Sequence, residues 1–154
     1  MFKRKEIKKN GKLIVLIEDE IDTTTYVAKA FNEYSPIECV PFFRSDPFIE
    51  WLNRRIKANE ELPCLYVIDI LLNNGKTGVQ LARELRNDYK IQSDIIIETG
   101  CSEVDEDYID AMDFINNDEF NCGLLHKPFG ISDIGTYIHN ELHIDLPESF
   151  LNFE

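Results

Sequence analysis

Short apolar runs alternate along the chain with segments whose apolar residues recur every three or four positions. Four of the runs are too short for a helix and rich in branched aliphatic residues, which is typical of strands buried on both faces of a parallel sheet; they span residues 13–17, 65–68, 94–97 and 123–125. A fifth run, 37–43, contains Pro41, which lacks the backbone N–H that a central strand needs. We therefore predict five strands, with the second at an edge of the sheet.

The segments between these runs have the spacing of amphipathic helices. Their apolar positions are Val27 and Phe31 in the first; Phe48, Trp51, Leu52 and Ile56 in the second; Val79, Ala82 and Leu85 in the third; Val104, Tyr108, Met112 and Ile115 in the fourth; and Ile131, Ile134, Ile138 and Leu142 in the fifth. Parallel neighbours need a helix-length connection, and such crossovers are right-handed. Five strands alternating with five helices therefore predict an α/β protein with an open, doubly wound parallel sheet.

The length of 154 residues, 44% of them hydrophobic, fits one folded domain. No repeat, low-complexity tract or Gly/Ser/Pro-rich linker interrupts the alternation. We divide the chain into a basic arm (1–11), a folded domain (12–143) and a tail (144–154). The tail contains the apolar residues Leu146, Phe150, Leu151 and Phe153, and the sequence leaves open whether it packs on the domain.

The chain is strongly acidic, with 29 Asp and Glu against 16 Lys and Arg and a formal charge of −13. This excess opposes non-specific binding to a phosphate backbone, so we expect no nucleic-acid partner. Residues 103–119 contain eight of the acids, and after Ser102 the only Lys or Arg is Lys127. The acid-rich segment is either the solvated face of a helix or a surface for a protein partner.

No apolar run approaches the roughly 18 residues that span a bilayer, and the basic start is not followed by the apolar segment of a signal peptide. The four cysteines are scattered singly, without the paired spacing of a metal site. We therefore expect a cytoplasmic protein with no membrane partner and with reduced, mostly buried thiols.

Polar residues directly follow four of the predicted strands. They are Glu18, Asp19 and Glu20 after the first; Asp69 after the third; Glu98 and Thr99 after the fourth; and His126 and Lys127 after the fifth. The carboxyl ends of parallel strands meet at one edge of a sheet, where doubly wound folds bind ligands. We therefore expect the acids, the hydroxyl and the lysine to form one site.

Carboxylates brought together in this way repel one another and need a compensating cation. Oxygen ligands with room for water favour Mg²⁺ or Mn²⁺ over zinc. A metal held by two or three carboxylates, facing a lysine and a threonine, suits a phosphoryl group, and the remaining carboxylate is available as a nucleophile. The sequence has no GxxxxGK[ST] loop and no GxGxxG turn, which argues against a nucleoside triphosphatase or a Rossmann oxidoreductase.

Four blocks of the sequence together resemble the receiver domain of two-component response regulators. They are LIVLIEDE (13–20), CLYVIDILL (64–72), IIIETG (95–100) and LLHKPFG (124–130), and the resemblance extends from about residue 12 to residue 142. It implies a flavodoxin-like fold with strand order 2-1-3-4-5 and five helices. Among receivers, the chain resembles the stand-alone, chemotaxis-regulator-like type.

The resemblance also implies roles for individual residues. Asp69 would be the phosphoacceptor, and Asp19, Asp69 and the backbone carbonyl of Leu71 would bind Mg²⁺, with Glu18 holding it directly or through water. Lys127 would contact the phosphoryl oxygens, Thr99 would be the switch hydroxyl, and the peptide bond before Pro128 would be cis.

Two parts of the chain depart from the family pattern, the loop after Asp69 and the fifth strand. The loop after Asp69 has Asn73 in place of a common Pro, and Gly78 falls one residue late, which predicts a loop one residue longer. Leu124 stands where the family usually has an aromatic residue that moves with the threonine, so the usual coupling is in question.

The leading hypothesis is a stand-alone, phosphorylation-controlled switch. Only about ten residues follow the fifth helix, too few for a helix-turn-helix module, so output would pass through a protein partner. The phosphoryl donor would be a sensor histidine kinase or a histidine phosphotransfer protein, and no turnover of an external substrate is expected. The alternative is a receiver-fold interaction module that acts constitutively, and a metal-dependent phosphatase is a more distant third.

Overall fold

The computed structural model describes residues 7–72, 76–100, 105–128 and 130–152. Five parallel strands form a single sheet in the order β2-β1-β3-β4-β5, which confirms the flavodoxin-like fold class with five helices. The elements are β1 (Leu13–Ile17), α1 (Ile21–Tyr34), β2 (Glu38–Phe42), α2 (Ser45–Lys57), β3 (Leu65–Asp69), α3 (Gly78–Asn87), β4 (Asp94–Thr99), α4 (Glu106–Asn117), β5 (Cys122–His126) and α5 (Ile131–Leu142).

The central strands are those whose sequences are continuously apolar. All five residues of β1 and of β3 are buried, as expected for strands covered by helices on both faces. β2 lies at the edge of the sheet, as Pro41 predicted, because a proline cannot donate to a strand on both sides. The first strand and the edge position were therefore predicted correctly.

The core has two layers, one on each face of the sheet. Alternation along the strands sends Leu16, Val67 and Ile96 to the face covered by α1 and α5. The residues between them, such as Ile68 and Ile97, pack against α2, α3 and α4 on the other face. This alternation matters for the site, because it decides which strand-end side chains point to the same side.

The buried face of α4 differs from the prediction. Its buried residues are Ala111 and Phe114, whereas Tyr108 and Met112 are only half-buried. α4 packs beside α3, and Arg83 of α3 lies 5.9 Å from the centre of the Phe114 ring. The face of α4 that packs beside α3 therefore differs from the apolar stripe that the spacing indicated. The predicted position Val104 lies outside the described residues.

The tail packs on the domain. After α5 the chain turns back and forms a 3-10 turn, Glu148–Phe150, that lies along α5. Phe150 is buried, with its ring centre 5.0 Å from that of Phe31 in α1. A Cβ at Gly135 would collide with the backbone carbonyl of Phe150, so glycine is needed for this close approach. The tail thus covers part of the seam between α1 and α5.

The described end of the basic arm is attached to the domain as well. The Lys9 ammonium donates to carbonyl oxygens at the end of α1, at 2.5 Å to Asn32 and 2.9 Å to Ser35. A cation at this position interacts favourably with the carboxyl end of the helix. Residues 1–6, the rest of the predicted arm, lie outside the described residues. Across the described ranges, no helix has the length and apolar character of a membrane span.

Candidate functional site

Three strand ends bring one lysine and two acids into contact. Lys127, directly after β5, donates from Nζ to Glu18 Oε1 and to Asp69 Oδ2, both at 2.8 Å. The side chains of Glu18 and Asp69 are only 7% and 5% exposed. Because the three residues are distant in sequence, this contact exists only when β1, β3 and β5 are assembled in one sheet. The lysine therefore bridges two buried carboxylates.

A third carboxylate completes an acidic cluster at the same edge. One carboxylate oxygen each of Glu18, Asp19 and Asp69 lies within 4.8 Å of the others, as three ligands of one ion would. Hard oxygen donors of this kind fit Mg²⁺ or Mn²⁺. The backbone N–H of Leu71 donates to Asp69 Oδ1 at 3.1 Å, which fixes the carboxylate beside the Leu71 backbone. A metal-binding role for the Leu71 carbonyl stays a prediction.

Burial and charge shift the site's pKa values in different directions. Burial raises the pKa of Asp69 above its usual range, although hydrogen bonds from Lys127 and Leu71 oppose the shift. Burial would also raise the pKa of Glu18, but hydrogen bonds with Glu98 and Lys127 outweigh it and the pKa is lowered. Burial lowers the pKa of Lys127, yet its bonds to Asp69 and Glu18 raise it overall. The lysine is therefore charged at neutral pH.

Thr99 and the segment containing Lys127 are joined through backbone contacts. Thr99 is the last residue of β4, is buried, and pairs in register with His126. Its carbonyl oxygen accepts the Lys127 N–H at 2.8 Å, and the Lys127–Pro128 peptide bond is cis. The cis bond predicted from the resemblance is thus present. The role of the Thr99 hydroxyl stays a prediction.

Leu124, one of the departures from the family pattern, lies in the strand that also carries an aromatic contact to α4. Leu124 is half-buried in β5. Two residues later in the same strand, the His126 ring stacks on Tyr108 of α4, with 6.1 Å between ring centres. β5 is therefore joined to α4 by the His126–Tyr108 ring contact.

The start of α3 packs directly on the backbone of Asp69. The Gly78 N–H donates to the Ile70 carbonyl at 2.9 Å, and a Cβ at Gly78 would collide with the Asp69 carbonyl. Thr77 and Gln80 form a capping box at this end of the helix. Glycine is therefore needed here although it falls one residue later than the family pattern. The loop predicted to be one residue longer spans 73–77, and its residues 73–75 lie outside the described residues.

Glu20, which the sequence left without a role, lies apart from the acidic cluster. It is exposed, and its carboxylate accepts the Thr23 hydroxyl at 3.1 Å at the start of α1. Among the described residues, the acids grouped as possible metal ligands are Glu18, Asp19 and Asp69. The site therefore uses the first two acids of the run after β1.

Glu98 is the site residue to which the sequence reasoning gave no role. It pairs in register with Asp69, is 3% exposed, and its carboxyl forms a hydrogen bond with Glu18. Burial, the bond to Glu18 and the charges of Glu18 and Asp69 raise its pKa to about 10. An acid placed inside an apolar strand, two positions after the buried Ile96, was the signal that could have identified it.

Comparisons with known proteins found matches among solved structures. No protein-family model matches the chain, and no curated protein matches it. Among solved structures, the receiver domain of the Francisella response regulator 1452 matches with a TM-score of 0.60 and 20% identity, covering 80% of this chain and 89% of its own.

Two further structures agree with that match. The BeF3-activated DrrB receiver domain gives a TM-score of 0.64 and 16% identity, covering 86% of this chain and 98% of its own. A CheY-like response regulator receiver domain protein from Methanospirillum hungatei JF-1 gives 0.61 and 18%, covering 86% and 94%. At these identities the likeness establishes the fold.

The sheet order and the strand-end cluster define a doubly wound α/β protein with an acidic, lysine-bridged edge. Its particular fold is that of the receiver domain of response regulators.

Proposed function

We propose that this receiver domain accepts a phosphoryl group on Asp69 in a Mg²⁺-dependent reaction and acts as a phosphorylation-controlled switch. The observation that carries the proposal is the Lys127 ammonium, which bridges Glu18 and Asp69 at 2.8 Å each beside a third carboxylate. A solvated surface cluster would not need a lysine held between two carboxylates that are 7% and 5% exposed. The arrangement suits a site that receives an anion.

The transfer step would use Asp69 as the nucleophile. One of its carboxylate oxygens attacks the phosphorus of a phosphohistidine, an O–P bond forms as the N–P bond breaks, and the imidazole nitrogen keeps the electron pair. Glu18, Asp19 and Asp69 would hold Mg²⁺, which when bound neutralises part of the charge on the phosphoryl oxygens. Lys127 would leave its present partners and contact the transferred group.

The exchange of lysine partners gives the switch its physical basis. In the present arrangement Lys127 is bonded to Asp69 and Glu18, and its backbone N–H is bonded to Thr99. A phosphoryl group adds charge that competes for the ammonium and for the Thr99 hydroxyl. Movement of Thr99 would affect His126, its neighbour in the sheet. The His126 ring stacks on Tyr108, so the movement would also reach α4.

The partners follow from the same proposal. The donor would be a sensor histidine kinase or a histidine phosphotransfer protein, and the output would be a downstream protein that contacts the surface formed by α4, β5 and α5. We propose no turnover of an external substrate: the domain would assist only its own phosphorylation and dephosphorylation. A cytoplasmic location stays a prediction.

Incubation with an acyl phosphate and Mg²⁺ tests the proposal. Intact-mass measurement should show the gain of one phosphoryl group in the wild type, and no gain in Asp69→Asn or in a chelated sample. Asp88→Asn, which removes an acid at the end of α3 away from the cluster, is the matched control and should gain the group normally. An unmodified wild type, or equal modification of Asp69→Asn, would contradict the proposal.

The constitutive alternative makes a different prediction. An interaction module that works without phosphate would bind its partner equally well with and without beryllium fluoride, a mimic of the phosphoryl group. A clear change in partner affinity on adding beryllium fluoride and Mg²⁺ would reject it.

A further inference from the structure

Glu98 is a buried acid whose position is unusual for a strand of this sheet. It is 3% exposed within β4, which is otherwise apolar from Ile95 to Ile97. Burying a carboxyl group costs free energy unless its oxygens find hydrogen-bond partners. Across the part of the chain that the structure describes, Glu98 Oε2 has none. If Glu98 served only to fill space in the core, its buried carboxyl group would therefore destabilise the fold relative to an apolar side chain.

The sheet places Glu98 on the same face as the acids of the cluster. Leu16, Val67 and Ile96 all pack in the layer covered by α1 and α5. The residues two positions later in each strand are Glu18, Asp69 and Glu98, so alternation directs these three side chains to that same face. The register pairs Glu98 directly with Asp69. Glu98 therefore lies against the candidate metal centre.

Among the described residues, the side-chain partner of Glu98 is a member of the cluster. Glu98 forms a hydrogen bond with Glu18, which also contacts Asp69 and accepts a hydrogen bond from the Lys127 ammonium at 2.8 Å. If Lys127 turns toward a phosphoryl group on Asp69, both of these contacts of Glu18 change, while its bond to Glu98 stays in place. The bond would then set the orientation of the Glu18 carboxylate.

We propose that Glu98 is a positioning residue of the metal centre, holding the Glu18 carboxylate where it converges with Asp19 and Asp69. This inference rests on the proposed function, because it requires that the cluster bind Mg²⁺. Residues that orient metal ligands in this way typically change metal affinity by 10- to 100-fold when removed. Glu98 would thus act on the ion through Glu18.

Two substitutions separate positioning from simple packing. Glu98→Leu fills the same apolar slot but removes the hydrogen bond and the unpartnered oxygen. We expect the metal-free variant to melt at a higher temperature than the wild type, while its Mg²⁺ affinity falls by about 10-fold. Glu98→Gln keeps the shape and offers an amide donor to Glu18, so its affinity should stay within about 2-fold of the wild type.

The measurements are the Mg²⁺ dissociation constant by calorimetry and the melting temperature in chelator. Glu38→Leu, which removes an exposed acid at the opposite end of the sheet, is the control for net charge and should leave the affinity unchanged. Wild-type Mg²⁺ affinity in Glu98→Leu would overturn the proposal, as would a melting temperature below that of the wild type.

Equal losses of Mg²⁺ affinity in Glu98→Gln and Glu98→Leu would also overturn the proposal, because they would indicate that Glu98 binds the ion directly. A wild type that binds no Mg²⁺ would instead contradict the proposed function itself. The two failures are therefore distinguishable.

Discussion

Replacing Lys127 by methionine tests how the acidic cluster is stabilised without a metal. Methionine keeps an unbranched, flexible side chain but removes the ammonium that Glu18 and Asp69 share. Leaving a buried charge without its partner typically costs about 3–5 kcal/mol. The Lys127 side chain is 29% exposed, so solvent already screens part of the interaction. We expect a loss of about 2 kcal/mol in the free energy of unfolding near neutral pH.

The loss should depend on pH in a defined direction. Burial already raises the pKa of Asp69, and removing Lys127 removes the main opposing contact, so that pKa rises further. A carboxyl whose folded-state pKa exceeds its unfolded value stabilises the fold below the unfolded pKa and loses that contribution as the pH rises. The variant should therefore be close to wild type near about pH 4 and most destabilised near about pH 8.

Urea denaturation followed by the fluorescence of Trp51, the single tryptophan, measures both effects. Saturating MgCl2 should restore most of the stability at about pH 8, because a bound cation replaces the missing positive charge. Lys76→Met is the matched control: it breaks an ion pair with Glu84 on α3 whose side chains are 36% and 24% exposed, and should cost under about 1 kcal/mol without a Mg²⁺ effect. Equal losses at both pH values, unaffected by Mg²⁺, would refute the account of Lys127.

The remaining predictions concern the tail, a buried ion pair and the pH dependence of the wild type. Gly135→Ala should displace the tail, because the added Cβ meets the Phe150 carbonyl; faster proteolysis of the tail would show this, and wild-type resistance would contradict it. Arg86→Met should lower stability by about 3–5 kcal/mol, since it leaves Asp118 buried without its partner; a change under about 1 kcal/mol in urea denaturation would contradict it. The metal-free wild type should lose stability from about pH 5 to about pH 9, by up to about 1.4 kcal/mol per pH unit, because folded Glu98 retains a proton that the unfolded chain releases. Glu98→Leu should flatten this dependence, and an unchanged slope would assign it to another group.

The sheet was predictable because the sequences of its central strands are short, continuously apolar runs. β1 has the bounds that the sequence indicated, and Pro41 placed β2 at the edge. The orientation of α4 was not predictable in the same way, because its buried face is set by packing against Arg83 and its neighbours on α3. Helical spacing predicts that an amphipathic helix is present, but packing against a neighbouring helix determines which of its residues are buried.

The candidate site was predictable to the level of which strand ends contribute to it. Glu18, Asp69 and Lys127 do meet, because parallel strands bring their carboxyl ends to one edge. The role of Glu98 could not be read from composition, since a strand-end acid is normally solvated. Its place directly after the apolar residues 95–97 was the signal in the sequence, and the register with Asp69 shows that this acid is buried against the cluster. The packing of Phe150 in the tail likewise depends on a contact between segments distant in sequence.

The central claim is that Asp69 carries the phosphoryl group. Treating the protein with an acyl phosphate and Mg²⁺, digesting it rapidly under acidic conditions and sequencing the peptides by mass spectrometry would locate the modification. The account predicts a single modified residue, Asp69, in the segment that ends β3. A phosphoryl group on Glu18, on Asp19 or on one of the histidines, with Asp69 unmodified, would contradict it.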